Sequence, residues 1–200
     1  LPFGVTIYSD KYTKYEWLQQ TNVAPQSLAN SRVTQVIEDS DGDIWVTTNN
    51  GIGCYHTRTK QWTTLLSSHD QNRQDQNYVY ISLCESTPGT ILVGGYMSGM
   101  YRINKKDMHP QYFSPQQEGY TDIRPDKYIR SIYRDEQGTV WAGGYYNFKS
   151  MNFATGQIDH YQTEYPISVI TSKSDKELWV GTVNGIYKFN KQLKEFQQEL

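Results

Sequence analysis

The stretch from Arg32 to Leu65, RVTQVIEDSDGDIWVTTNNGIGCYHTRTKQWTTL, decides the fold. An alternating apolar stretch leads into an acidic turn containing Asp39, Asp41, Gly42 and Asp43. An apolar triplet follows, Ile44-Trp45-Val46, and then the polar turn Thr48-Asn49-Asn50. A second short strand runs from Gly51 to Tyr55, and a last aromatic segment begins at Gln61-Trp62. The alternation has period two, not 3.6, so these segments are strands, and the turn residues between them break the chain into four.

The plan recurs. Tyr78 onward reads YVYISLCESTPGTILVGGYMSGMYRINKKD, Tyr128 onward YIRSIYRDEQGTVWAGGYYNFKSMNFATGQIDHY, and Pro166 onward PISVITSKSDKELWVGTVNGIYKFNKQLKEF. The central triplets are Ile91-Leu92-Val93, Val140-Trp141-Ala142 and Leu178-Trp179-Val180. The second strands run from Gly99 to Ile103, Phe148 to Phe153 and Gly185 to Phe189. The steps from Trp45 to Leu92, Trp141 and Trp179 are 47, 49 and 38 residues, close to the ~40–50-residue period of propeller blades. Gly4 to Trp17 matches the later half of a repeat. The expected fold is therefore all-β, a partial β-propeller of four to five four-stranded antiparallel blades. Its blades are expected at about 1–30 (partial), 31–75, 76–125, 126–164 and 165–200, in one incomplete propeller segment. The chain opens on Leu1 rather than Met, and is expected to be a segment of something longer.

Composition narrows the function. The chain has 200 residues and a formal net charge of -2; nucleic-acid binding, which needs a basic stripe, is not expected. No apolar run of about 18 residues exists to span a membrane, and no signal peptide is visible. Seventeen tyrosines and five tryptophans fit strands. Cys54 and Cys84 lie in apolar, strand-like stretches; they are read as two buried thiols, with a single disulfide as the alternative.

Trp45 and Trp141 belong to the strand that neighbouring blades cover on both faces, where an indole fills the wedge between blades. Gly42, Gly89 and Gly138 occupy one point of the first hairpin, where positive φ is expected. Lys176 stands there in the fourth copy, so that turn must differ.

At VIEDSDGDIWVTTNNGIGCY and SIYRDEQGTVWAGG the chain resembles the two-component regulator propeller repeat. The shared pattern is an acidic turn with Gly, an aliphatic-Trp-aliphatic triplet, a Gly-rich turn and a Gly-aliphatic-x-x-Tyr strand. The first, third and fourth copies follow it. The second has Leu92 for Trp and Pro88-Gly89 in its turn, and the third has Asn147 where Gly is usual. The resemblance implies the periplasmic sensor region of a Bacteroides-type hybrid histidine kinase that responds to carbohydrate breakdown products. It implies that kinase and membrane span lie in other parts of the parent, and that this segment is no enzyme.

The residues themselves offer little chemistry. Asp39, Asp41 and Asp43 have calcium-loop spacing, but the required Gly and the Glu at the twelfth position are missing, so hairpin chemistry explains them. His56, His69, His109 and His160 show no zinc-like spacing, and no nucleophile motif or Cys–His pairing is apparent. No catalytic residue, metal or cofactor is expected, and the acidic turn residues read as solvated.

The turns after the central strands are the better candidates, because loops on a rigid scaffold carry function. Tyr96, Tyr145 and Tyr146 could offer flat faces to a sugar, and Asn49, Asn50 and Asn147 could pair with its hydroxyls. The competing reading has the tyrosines covering blade ends. Ser67 to Asn77 and Lys105 to Lys127 read as long connections, with Tyr120 and Arg124 as outside candidates. An oligosaccharide ligand is the first expectation. A protein-interaction scaffold and a propeller lyase or glycosidase are the alternatives. Apolar faces of terminal blades are expected to drive self-association.

Overall fold

The computed structural model describes residues 5–9, 12–18, 27–67, 79–113 and 127–199, with strand geometry but no side chains for 5–9 and 12–17. The chain divides into two compact units, Leu1–Ile81 and Ser82–Leu200.

The first unit contains the hairpin β1 (Val5–Ser9) and β2 (Tyr12–Leu18). It also holds a four-stranded meander of β3 (Val33–Glu38), β4 (Ile44–Thr48), β5 (Gly51–His56) and β6 (Gln61–Leu65). Its core joins Leu18, Leu28, Val46, Tyr55 and Trp62.

The second unit holds three meanders of the same order. One is β7 (Val79–Thr87), which begins just before the unit boundary, β8 (Thr90–Tyr96), β9 (Gly99–Asn104) and β10 (His109–Phe113). The next is β11 (Ile129–Arg134), β12 (Val140–Gly144), β13 (Phe148–Asn152) and β14 (Gln157–Tyr161). The last is β15 (Ile167–Ser174), β16 (Glu177–Thr182), β17 (Gly185–Asn190) and β18 (Glu195–Glu199). All pairings are antiparallel. These are propeller blades, as the repeat predicts. One expectation is corrected: Lys105 to Lys127 is not all connection, because His109–Phe113 pairs with β9 as the outer strand. Pro110 is tolerated there because an edge strand need not donate on its outer side.

The triplets form the second strand of each sheet, and Trp45, Leu92 and Trp141 are buried. Trp179 is only half-buried. Between the second and third sheets, Leu92, Met100, Ile129, Ile132, Val140, Ala142 and Met151 form one cluster. Between the third and fourth, Trp141, Phe148, Ile167, Ile170, Leu178, Val180 and Phe189 form another. Phe148 and Phe189 meet edge to face at 4.8 Å, a contact of about 0.5–1.5 kcal/mol beyond area burial.

Two glycines set how close the sheets come. A Cβ on Gly94 would lie 2.4 Å from Ile129 Cγ2, and one on Gly143 would lie 2.8 Å from Ile167 Cγ2. Each inner strand thus seats its first isoleucine on a glycine of the preceding sheet. The predicted positive φ is present at Gly42, Gly89 and Gly138 and does not occur at Lys176.

The acidic turns correct the sequence reading. Asp39 and Asp135 are buried, 7% and 4% exposed, and are not solvated. Each accepts the indole N–H of the Trp six residues on: Trp45 Nε1 donates to Asp39 Oδ2 at 2.8 Å and Trp141 Nε1 to Asp135 Oδ2 at 2.9 Å. Asp39 Oδ1 also accepts the Asp41 and Asp43 amides, at 2.8 and 3.0 Å. In the second sheet Ser86 replaces the acid and Leu92 the Trp, so donor and acceptor change together.

Candidate functional site

One end of the sheets is made by the turns after the second strands and the segments entering the first strands. Asn49 N donates to Arg32 O, Tyr145 N to Tyr128 O and Val183 N to Pro166 O, each at 3.3 Å. In the second unit this end carries a row of tyrosine rings. Tyr96 meets Tyr128 at 4.9 Å, Tyr128 meets Tyr145 at 5.6 Å, and Tyr145 meets Tyr146 at 4.5 Å between centroids. Tyr96, Tyr145 and Tyr146 are each about half exposed (50, 50 and 49%).

Tyr128 is the link that sequence reasoning missed. It precedes β11 and is seated by its backbone. A Cβ on Gly144 would lie 1.6 Å from Tyr128 O, so only glycine admits that carbonyl. Asn147 Nδ2 donates to the same oxygen at 3.5 Å. Tyr146 has φ of 57° and Met97 of 61°, the left-handed region. That conformation is costly for bulky residues, and such strain concentrates at functional sites.

The six candidates separate. Tyr96, Tyr145 and Tyr146 are brought together. Asn147 is corrected: it is 5% exposed and supports the turn instead of facing solvent. Asn49 and Asn50 are half-buried in the first unit, where Asn50 N donates to Thr48 Oγ1 at 3.2 Å. Asn184 makes the same bond to Thr182 at 3.1 Å, which marks this as a repeated turn device. Tyr120, Arg124 and His69 lie outside the described residues. A hollow of about 220 Å³ is lined by Gln162, Thr163, Glu164, Tyr165 and Tyr187, in part by the segment entering β15.

Neither cysteine is in a disulfide. Burial pushes the Cys84 thiol up to about 12; Arg134 pulls against this and Glu85 adds to it. The expected lack of a Cys–His pairing is also corrected. Cys54 and His56 share a face of β5, with Sγ 3.9 Å from Nδ1, and Asp43 Oδ2 lies 2.8 Å from the same Nδ1. This is not a catalytic triad. A relay needs thiol and carboxylate on opposite ring nitrogens, and Cys54 is 1% exposed.

Residues 27–50 and 123–146 match the sequence model of the two component regulator propeller. Those segments lie in the first and third copies and are similar to repeats of that family. No curated protein matches the chain. Among solved structures, it is similar to the extracellular domain of the hybrid two component system BT3049 from B. thetaiotaomicron. The match has 22% identity and a TM-score of 0.74 over 100% of this chain and 26% of that one. The corresponding domain of BT4673 from the same organism matches at 16% identity and TM-score 0.58, over 100% of this chain and 34% of that one. PorZ, a surface component of the type-IX secretion system of Porphyromonas gingivalis, matches at 17% identity and TM-score 0.70. That match covers 100% of this chain and 31% of PorZ. The chain thus spans about a quarter to a third of each. At these identities the likeness establishes the fold, a β-propeller.

Proposed function

We propose that this chain is part of an extracytoplasmic sensor propeller of a two-component system, and that it binds oligosaccharides without transforming them. The family repeats at residues 27–50 and 123–146 support the sensor reading. So do the extracellular domains among its structural neighbours, which also favour a periplasmic location. The observation that carries the ligand reading is the row of half-exposed Tyr96, Tyr145 and Tyr146, joined by half-buried Tyr128. Ring faces at a propeller end suit the C–H faces of sugars, and the hydroxyls at their edges can pair with sugar hydroxyls. The hollow beside Tyr165 and Tyr187 offers a further small subsite.

Calorimetric titration with a panel of oligosaccharides tests this. Binding by one sugar class, lost in Tyr145→Ala with the melting temperature held, supports it. Binding that survives Tyr96→Ala/Tyr145→Ala, or a panel that never binds, sinks it.

A second reading rests on a specific surface. The outer face of the last sheet exposes Val169 (53%) and Ile186 (56%) beside half-buried Trp179. That apolar face is suited to pairing with a second copy of this chain.

A further inference from the structure

We infer that Asp43, Cys54 and His56 form a binding site for a zinc-class divalent cation. Register brings them together. Ile44 pairs with Tyr55, which puts Asp43 opposite His56, and Cys54 lies two residues back on the same face of β5. Their ligand atoms, a carboxylate oxygen, Nδ1 and Sγ, lie within 4.8 Å of one another. Ligands about 2.0–2.3 Å from a tetrahedral zinc are separated by roughly 3.3–3.7 Å. The pairs at 3.9 Å (Sγ to Nδ1) and 2.8 Å (Nδ1 to Oδ2) bracket that spacing, so small rotamer shifts suffice.

The surroundings suit a cation. Asp43 Oδ1 accepts from the Thr57 amide at 3.0 Å and from its hydroxyl at 3.5 Å, which fixes the carboxylate. His56 Nε2 lies 2.9 Å from Thr63 Oγ1, the kind of outer partner that sets a metal-bound imidazole's tautomer. The His56 and Asp43 side chains are 31% and 22% exposed, so solvent reaches a fourth position while the sulfur stays buried. On binding, the thiol proton leaves to solvent. The imidazole keeps one proton, carried on Nε2 and directed at Thr63. A thiolate, an imidazole and one carboxylate with an open position is a zinc donor set.

The repeats supply an independent argument. The positions matching His56 are Asn104, Asn152 and Asn190, and those matching Cys54 are Arg102, Ser150 and Lys188. Each Asn accepts a backbone amide in the following turn: Asn104 from Lys106 at 2.9 Å, Asn152 from Ala154 at 3.0 Å and Asn190 from Gln192 at 2.9 Å. The fold's own solution is therefore Asn. Among the four four-stranded sheets, the first alone gives up this cap, and it does so for a His beside a Cys and an Asp.

The test titrates the reduced chain with Zn²⁺ against a chromophoric chelator and with Co²⁺ by absorbance. The expected result is one ion per chain and a thiolate-to-cobalt charge-transfer band. His56→Asn installs the residue of the other three four-stranded sheets, so it should keep its circular dichroism and melting curve but lose the site. Cys54→Ser should lose the sulfur band, and Thr63→Val should weaken Zn²⁺ binding about tenfold. No uptake by the folded chain, unchanged uptake in His56→Asn, or a Co²⁺ spectrum without a sulfur band would each overturn the assignment.

Discussion

Trp45 donates its indole N–H to Asp39 Oδ2 at 2.8 Å, across a turn that the same carboxylate closes through two backbone amides. The pair ties the blade's most buried aromatic to its first hairpin. Asp39→Ala strands a buried donor and should cost about 1–3 kcal/mol, while Trp45→Ala should cost about 3–5 kcal/mol. A double-mutant cycle of Asp39→Ala with Trp45→Phe in urea checks the coupling. The double mutant should lose clearly less than the sum of the singles, and additivity would refute the link.

Asp135 makes the equivalent bond and adds Lys191 Nζ at 2.8 Å. Burial alone would raise its pKa, but hydrogen bonds from Lys191, Trp141 and the Thr139 amide outweigh this and hold the carboxyl below its ordinary value. The stabilisation is full above the unfolded-state pKa, about 3.9, and is lost as pH falls through the lower folded value. Melting temperatures from pH 6 to 2 (a range set around that pKa) should drop in the native chain below about pH 4. Asp135→Asn should start lower and show a shallower acid slope; parallel curves would count against the pairing.

Gly94→Ala places a methyl 2.4 Å from Ile129 Cγ2. The expected loss is about 1–3 kcal/mol from overpacking. Gly89→Ala meets nothing within 4 Å but must hold φ of 87°, and about 1 kcal/mol is expected from backbone strain alone. Equal losses measured by denaturation would show that sheet spacing is not set at Gly94.

Tyr146 separates binding from stability. Tyr146→Gly removes a half-exposed ring and relieves a left-handed backbone. Stability should hold or rise by up to about 1 kcal/mol while oligosaccharide affinity falls. A loss of both would assign the ring to packing.

Trp179 and Trp141 occupy one position in successive sheets, yet Trp179 is half-buried and Trp141 4% exposed. Trp179→Ala should therefore cost clearly less than the about 3–5 kcal/mol expected for Trp141→Ala. If the outer face pairs two copies, light scattering should show a dimer that Ile186→Lys dissolves. A monomer at every concentration would exclude that pairing.

The blades were legible because their causes are local. Alternation sets which residues share a sheet face, and the glycines of the first hairpins mark positive φ without knowledge of the rest of the chain. The recurrence of the apolar triplets centred on Trp45, Leu92, Trp141 and Trp179 exposed the period directly. The strand at His109–Phe113 was not legible, because Pro110 and polar neighbours obscure an edge strand whose pairing comes from β9. The candidate tyrosines were found from turn position, and Tyr128 was not, since it joins Tyr96 to Tyr145 only where two sheets meet.

By itself, then, the sequence determined the repeat, the strand order within each blade and the turn residues, all consequences of backbone geometry over a few residues. Only the tertiary structure decided which polar groups are buried and which side chains meet. Asp39 reads as a surface acid until Trp45 folds over it, and Asn147 reads as a ligand donor until it supports Tyr128. Asp43, Cys54 and His56 become one site only when the pairing of β4 with β5 sets their register. Burial and cross-strand contact depend on residues distant in the chain, and no local pattern encodes them.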